Sequence, residues 1–117
     1  MIDICVYICH QAVVKNRIAG FDWDEGNREK CRKHGVSIAE IEALFLEADP
    51  LIGEDVKHSE QEDRFFAVGN AVSFRMIFVI FTFRHRDGLN IIRPVSARYM
   101  HRKEIERYAK KIPRFEN

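Results

Sequence analysis

Six consecutive apolar residues, Met76-Ile77-Phe78-Val79-Ile80-Phe81, constrain the fold more than any other stretch of this chain. A strand that is apolar on both faces has to be covered on both. It therefore belongs at the centre of a sheet, with helices on one face and a partner or outer strands covering the other.

The flanking sequence supplies that sheet. Leu51–Val56, Arg64–Val68, Phe74–Phe83 and Leu89–Val95 are rich in Phe, Val and Ile, with turn-forming Gly69-Asn70 and Asp87-Gly88 between them. An antiparallel meander of three to four strands is expected. Pro94 within the last one points to an edge position or a bulge. Upstream, Asp22 or Asp24 caps a helix from about Glu25 to His34, which Gly35 stops. Ser37 and Glu40 form a capping box for a second helix with Ile38, Ile41, Leu44, Phe45 and Ala48 at helical spacing, ended by Asp49-Pro50. The chain closes on a basic helix, His101 to Ile112, packing through Ile105, Tyr108, Ala109 and Ile112 before Pro113. The order ααββββα is that of an α+β fold: two N-terminal helices, an antiparallel sheet and a C-terminal helix.

At 117 residues the chain suits one domain. We read residues 1–20 as an N-terminal extension of unknown role, an added edge strand, a short helix or an upstream start, and 21–117 as the domain proper. Cys5, Cys9 and Cys31 show no CxxC spacing, and reduced thiols in the cytoplasm fit them best. The apolar stretch Ile2–Ile8 is broken by Asp3 and is far shorter than the roughly 20 residues that span a bilayer, so no membrane association is expected. The net charge of +1 conceals an asymmetry: residues 1–63 carry −7 and residues 64–117 carry +8. One face can thus attract a polyanion, or the two halves can neutralise each other across the fold.

Four ordered blocks carry a resemblance. Phe21-Asp22-Trp23-Asp24, Lys33-His34-Gly35-Val36-Ser37, Arg64-Phe65-Phe66-Ala67-Val68-Gly69 and Ile92-Arg93-Pro94-Val95-Ser96-Ala97-Arg98 resemble, in order and spacing, the signature of the BrnT family of ribonuclease toxins. The resemblance implies a RelE-like fold and RNA cleavage without a metal. It also implies neutralisation by a BrnA-like antitoxin protein, with operator DNA contacted only indirectly, through the antitoxin.

Cutting RNA without a metal requires a base for the ribose 2′-OH, cations around the pentacovalent phosphate, and an acid for the leaving 5′-oxygen. Arginine suits the second task because its guanidinium stays charged and clamps phosphate oxygens in pairs. Arg64, Arg84, Arg93 and Arg98 are the expected phosphate-binding set, with ordinary surface ion pairs as the alternative. Lys33, Arg75, Arg86, Ser96 and Arg102 are expected to extend the RNA-binding surface. For proton transfer His34 and His101 lead, beside His85, with Glu62 and Tyr108 behind them. Base stacking by Trp23 is a weaker candidate. No metal site, nucleotide loop or cofactor is expected from the residue spacing. A second reading is a non-catalytic, degenerate toxin that docks the antitoxin and tunes promoter binding.

Overall fold

The computed structural model describes residues 18–48, 50–55, 63–70 and 75–111. Residues 1–17 with Cys5 and Cys9, together with Asp49, Val56, Glu62, Phe74, the Ala109 side chain, Ile112 and Pro113, lie outside the described residues. β1 (Ile18–Phe21) precedes α1 (Glu25–Arg32) and α2 (Ile38–Leu46). Then come β2 (Leu51–Glu54), β3 (Phe65–Gly69), β4 (Ile77–Arg86), β5 (Leu89–Tyr99) and α3 (Arg102–Lys111).

The strands form one five-stranded sheet in the order β1-β5-β4-β3-β2. From β2 to β5 it is the expected antiparallel meander. The expectation of three to four antiparallel strands is corrected by β1, which runs parallel to β5 with Phe21 opposite Ile92. Four residues containing Gly20 carry too little alternation to announce a strand, and their partner lies some seventy residues downstream. The sheet therefore begins at Ile18, inside the segment read as an extension. At the other end of the sequence β5 continues past Val95 to Tyr99.

Local chemistry explains the elements. Asp24 and Asn27 form a reciprocal capping box on α1, and Ser37 and Glu40 another on α2. Replacing Ser37 by Ala should cost about 1 kcal/mol in a urea melt, because the Glu40 N–H it holds at 3.0 Å loses its acceptor. Gly35, at φ +90°, reverses the chain between the two helices. The β4–β5 hairpin turns on Asp87 and Gly88, both at positive φ as a two-residue type I′ turn demands.

β4 is the middle strand, and both its faces are covered. On one, Val79 and Phe81 pack with Phe65, Ala67 and Ile92 beneath Ile41, Leu44 and Phe45 of α2. On the other, Phe78 and Ile80 join Phe66 and Val68 beneath Ile105 and Tyr108 of α3. The second cover is the C-terminal helix of the same chain. The site described next lies further along the same face, around Thr82 and Arg84.

Candidate phosphate-binding site

Pairing register decides which cations meet. Thr82 on β4 stands opposite Arg93 on β5, so their side chains share a face. Arg84, two residues beyond Thr82, points the same way. Arg64 immediately precedes β3, whose first residue Phe65 pairs with Phe81, so extending this register puts Arg64 beside Thr82 of β4. β4, β5 and the residue that leads into β3 thus deliver three arginines to one end of the α3-facing side of the sheet. Together with Lys30 and Asp24 they line a cavity of about 500 Å³.

The N-terminus of α1 forms the cavity's other wall, and buried Asn27 fixes it there. Its amide nitrogen donates to the carbonyls of Asp22 at 2.9 Å and Pro94 at 2.8 Å, while its side-chain oxygen accepts the Asp24 N–H at 2.7 Å. Every polar atom of that side chain that points inward is satisfied. Pro94 itself sits at a bulge: Ser96 pairs with Ile80 and Pro94 with Phe81, leaving Val95 as the extra residue. The bulge anticipated from the sequence is present.

Arg93 is held by two carboxylates. Its Nη2 donates to Asp24 Oδ2 at 2.7 Å and its Nη1 lies 3.4 Å from Asp22 Oδ2. The same Asp22 oxygen is 3.1 Å from Arg86 Nη2. The Asn27 backbone N–H, and then Arg93, hold the Asp24 carboxyl below its ordinary range. The hydrogen bond that Arg93 donates to Asp24 in turn raises the guanidinium above its ordinary value.

Of the phosphate-binding set, Arg64, Arg84 and Arg93 come together and Arg98 stands apart. Arg98 makes a two-pronged ion pair with Glu104 of α3, 2.7 Å at each prong, and lies over the Phe78 ring at 4.7 Å. It joins β5 to α3. Hydrogen bonding from Arg98 pulls the Glu104 carboxyl down to about 2 from an ordinary 4.5. A carboxyl depressed by folding stabilises the fold above its unfolded pKa, and that contribution disappears as pH falls through the folded one. Stability should therefore drop as pH is lowered from about 4.5 towards 2. Glu104→Gln should flatten that limb in denaturant melts taken across the window.

The remaining candidates lie elsewhere. Lys33 and His34 are exposed in the turn after α1. His101 and Arg102 are exposed at the start of α3, where the His101 N–H donates to Glu104. Arg75 lies over the Tyr99 ring at 3.6 Å. Arg86 forms its ion pair at the hairpin end, and Ser96 is half-buried opposite Ile80. Trp23 packs against the core and donates to Glu42 at 2.9 Å. Tyr108 tilts against Phe66, and burial pushes its hydroxyl above the ordinary value. His85 lines a second cavity, of about 320 Å³, with Asp63, Phe65, Thr82 and Phe83.

Lys30, Asn27 and the charge of Asp24 are the site residues that sequence reasoning missed. A signal existed: Gly26, Asn27 and Lys30 fall on one face of α1. What was missing was any indication of where that face would dock. Among the described residues no group of three or more His, Cys, Asp or Glu side chains is arranged to hold a metal ion. Burial pushes the Cys31 thiol up to about 11, which leaves it an unreactive core residue. Among the described residues no helix is long and apolar enough to cross a membrane.

The fold is a small α+β domain with Lys30, Arg64, Arg84 and Arg93 gathered around one cavity. The family model of the ribonuclease toxin BrnT, of type II toxin–antitoxin systems, matches residues 23–104. The chain belongs to that family, and is a toxin of a type II toxin–antitoxin system. The matched span includes every residue that lines the cationic cavity. No curated protein matches the chain.

Proposed function

We propose that the protein is an endoribonuclease that cuts RNA without a metal, with the scissile phosphate seated among Lys30, Arg64, Arg84 and Arg93. The observation that carries this reading is the register that converges three arginines on one cavity. Cations there oppose the charge that builds on the phosphate oxygens as the ribose 2′-oxygen attacks phosphorus and the 5′-oxygen departs. The products would be a 2′,3′-cyclic phosphate and a free 5′-hydroxyl. For the proton, His85 is the candidate histidine nearest in the chain to the arginines, but it follows Arg84 directly on β4, so its side chain leaves the opposite face of the sheet and lines a separate cavity. His34 and His101 stand on other elements.

The same cationic surface suits a BrnA-like antitoxin. An acidic segment laid across it would block RNA by direct competition, and promoter binding would run through the antitoxin's own DNA-binding part. The cytoplasm is the compartment this implies, and a RelE-like ancestry accords with a sheet flanked by helices.

The test is incubation of antitoxin-free protein with RNA in excess EDTA. Cleavage that persists in EDTA and yields cyclic-phosphate ends is the expected outcome. Activity that vanishes in EDTA and returns with a divalent cation would defeat the metal-free reading. RNA bound but left intact would favour the non-catalytic module.

A further inference from the structure

Asp24 has one carboxylate and two separate duties. Its Oδ1 accepts the Asn27 backbone N–H at 2.9 Å and so caps α1. Its Oδ2 faces the other way and accepts from Arg93 Nη2 at 2.7 Å. Capping alone does not require a charge, since Asn caps a helix as well as Asp. The second contact does: a guanidinium has five donors and no acceptor, and a charged acceptor anchors it best.

An arginine that clamps a phosphate in a transition state has to be placed before the substrate arrives, because ordering a long side chain during the reaction subtracts from the stabilisation it gives. Pairing with Thr82 sets the face of the sheet from which Arg93 leaves, but not where the end of so long a side chain lies. Crowding Lys30, Arg64 and Arg84 around the same cavity also repels the Arg93 head outwards. Something anionic has to hold it, and Asp24 lines that cavity.

We infer that Asp24 is a positioning residue for RNA cleavage: its Oδ2 fixes the Arg93 guanidinium in the cationic cavity, and Asp22 steadies the other Nη nitrogen. This rests on the reading of the cavity as the cleavage site. It gives the start of α1 a role in the chemistry beyond its role in folding. The helix cap and the phosphate clamp share one side chain, so the arginine is set whenever the helix is formed.

Asp24→Asn separates the two duties, because an amide oxygen still caps α1 while the anchor for Arg93 is lost. The expected result is an unchanged melting temperature and a kcat lowered by roughly tenfold to a hundredfold, the scale of a misplaced catalytic group. KM should stay equal or fall, since the variant is one charge more positive towards RNA. Asp24→Glu, which restores the charge, should recover part of kcat. Added to Arg93→Ala, Asp24→Asn should slow cleavage no further, because the residue it positions is already absent. An equal slowing in both backgrounds would overturn the proposal, as would an unchanged kcat. NMR of the Arg93 side-chain Nε–H separates loss of positioning from loss of the site. An Nε–H signal that stays as sharp in Asp24→Asn as in the parent overturns the positioning role alone. A signal that broadens while cleavage continues at the parental rate overturns both that role and the assignment of the cavity.

Discussion

Arg84→Ala should slow RNA cleavage by about 10²–10³-fold, the loss typical when one preorganised donor to a developing anion is removed. Arg84 is on the central strand, shares its face with Arg64 and Arg93, and lines the cavity they form. Its removal leaves a gap in the positive charge around the phosphate that the other cations, fixed on neighbouring strands and α1, cannot close. Arg28→Ala is the matched control: it removes the same charge from an exposed position on α1 that does not line the cavity. The measurement is the single-turnover rate on a defined RNA in EDTA. Equal rates for Arg84→Ala and its parent would remove the cavity from the reaction. Arg98→Ala should behave differently from both. Its partner is Glu104 and its ring contact is Phe78, so its loss should loosen α3, lower the melting temperature and affect cleavage less.

The largest effect on stability is expected from Phe81→Ala. Phe81 is fully buried at the middle of β4 and meets three other rings: Phe45 at 4.9 Å, Phe83 at 5.4 Å and Phe65 at 5.7 Å. Truncation removes the buried ring and leaves a cavity bounded by sheet and helix that cannot collapse, a loss of about 3–5 kcal/mol. Since domains of this size are stable by about 5–15 kcal/mol, much of the fold's margin would go. A urea titration followed by far-UV circular dichroism measures it. Arg84→Ala in the same titration should shift stability by about 1 kcal/mol or less. The pair of variants therefore separates chemistry from folding: one keeps the fold and loses the rate, the other loses the fold.

Much of this architecture was legible because its causes are local. Both helices of the N-terminal half announce themselves by capping residues within three positions of one another, and Asp87-Gly88 specifies a tight hairpin by its backbone preferences alone. The two-faced apolar run placed β4 at the centre of the sheet because its composition left no face suited to water. β1 was not legible. Its four residues are a strand only because β5 offers a free edge, and that edge exists only once the hairpin has formed.

The site divides in the same way. Arginine as the residue type, the second half of the chain as its main source, and the three arginines that meet, among the four expected, were all within reach of composition and strand parity. The exclusion of Arg98 was not: the Val95 bulge brings Arg98 onto the same face as Arg93, but it stands opposite Phe78, further along the strand, where Glu104 of α3 captures it. Nor was the arrival of Lys30 and Asp24 from the acidic half, which depends on a hydrogen bond between Asn27 and Pro94, 67 residues apart. The sequence by itself determined the elements, the central strand and the supply of cations, since these follow from interactions spanning a few residues. Tertiary structure alone decided which cations share a cavity and which carboxylate holds Arg93. Those outcomes depend on register between strands and on the docking of α1 against β5, contacts between residues that have no proximity until the chain has folded.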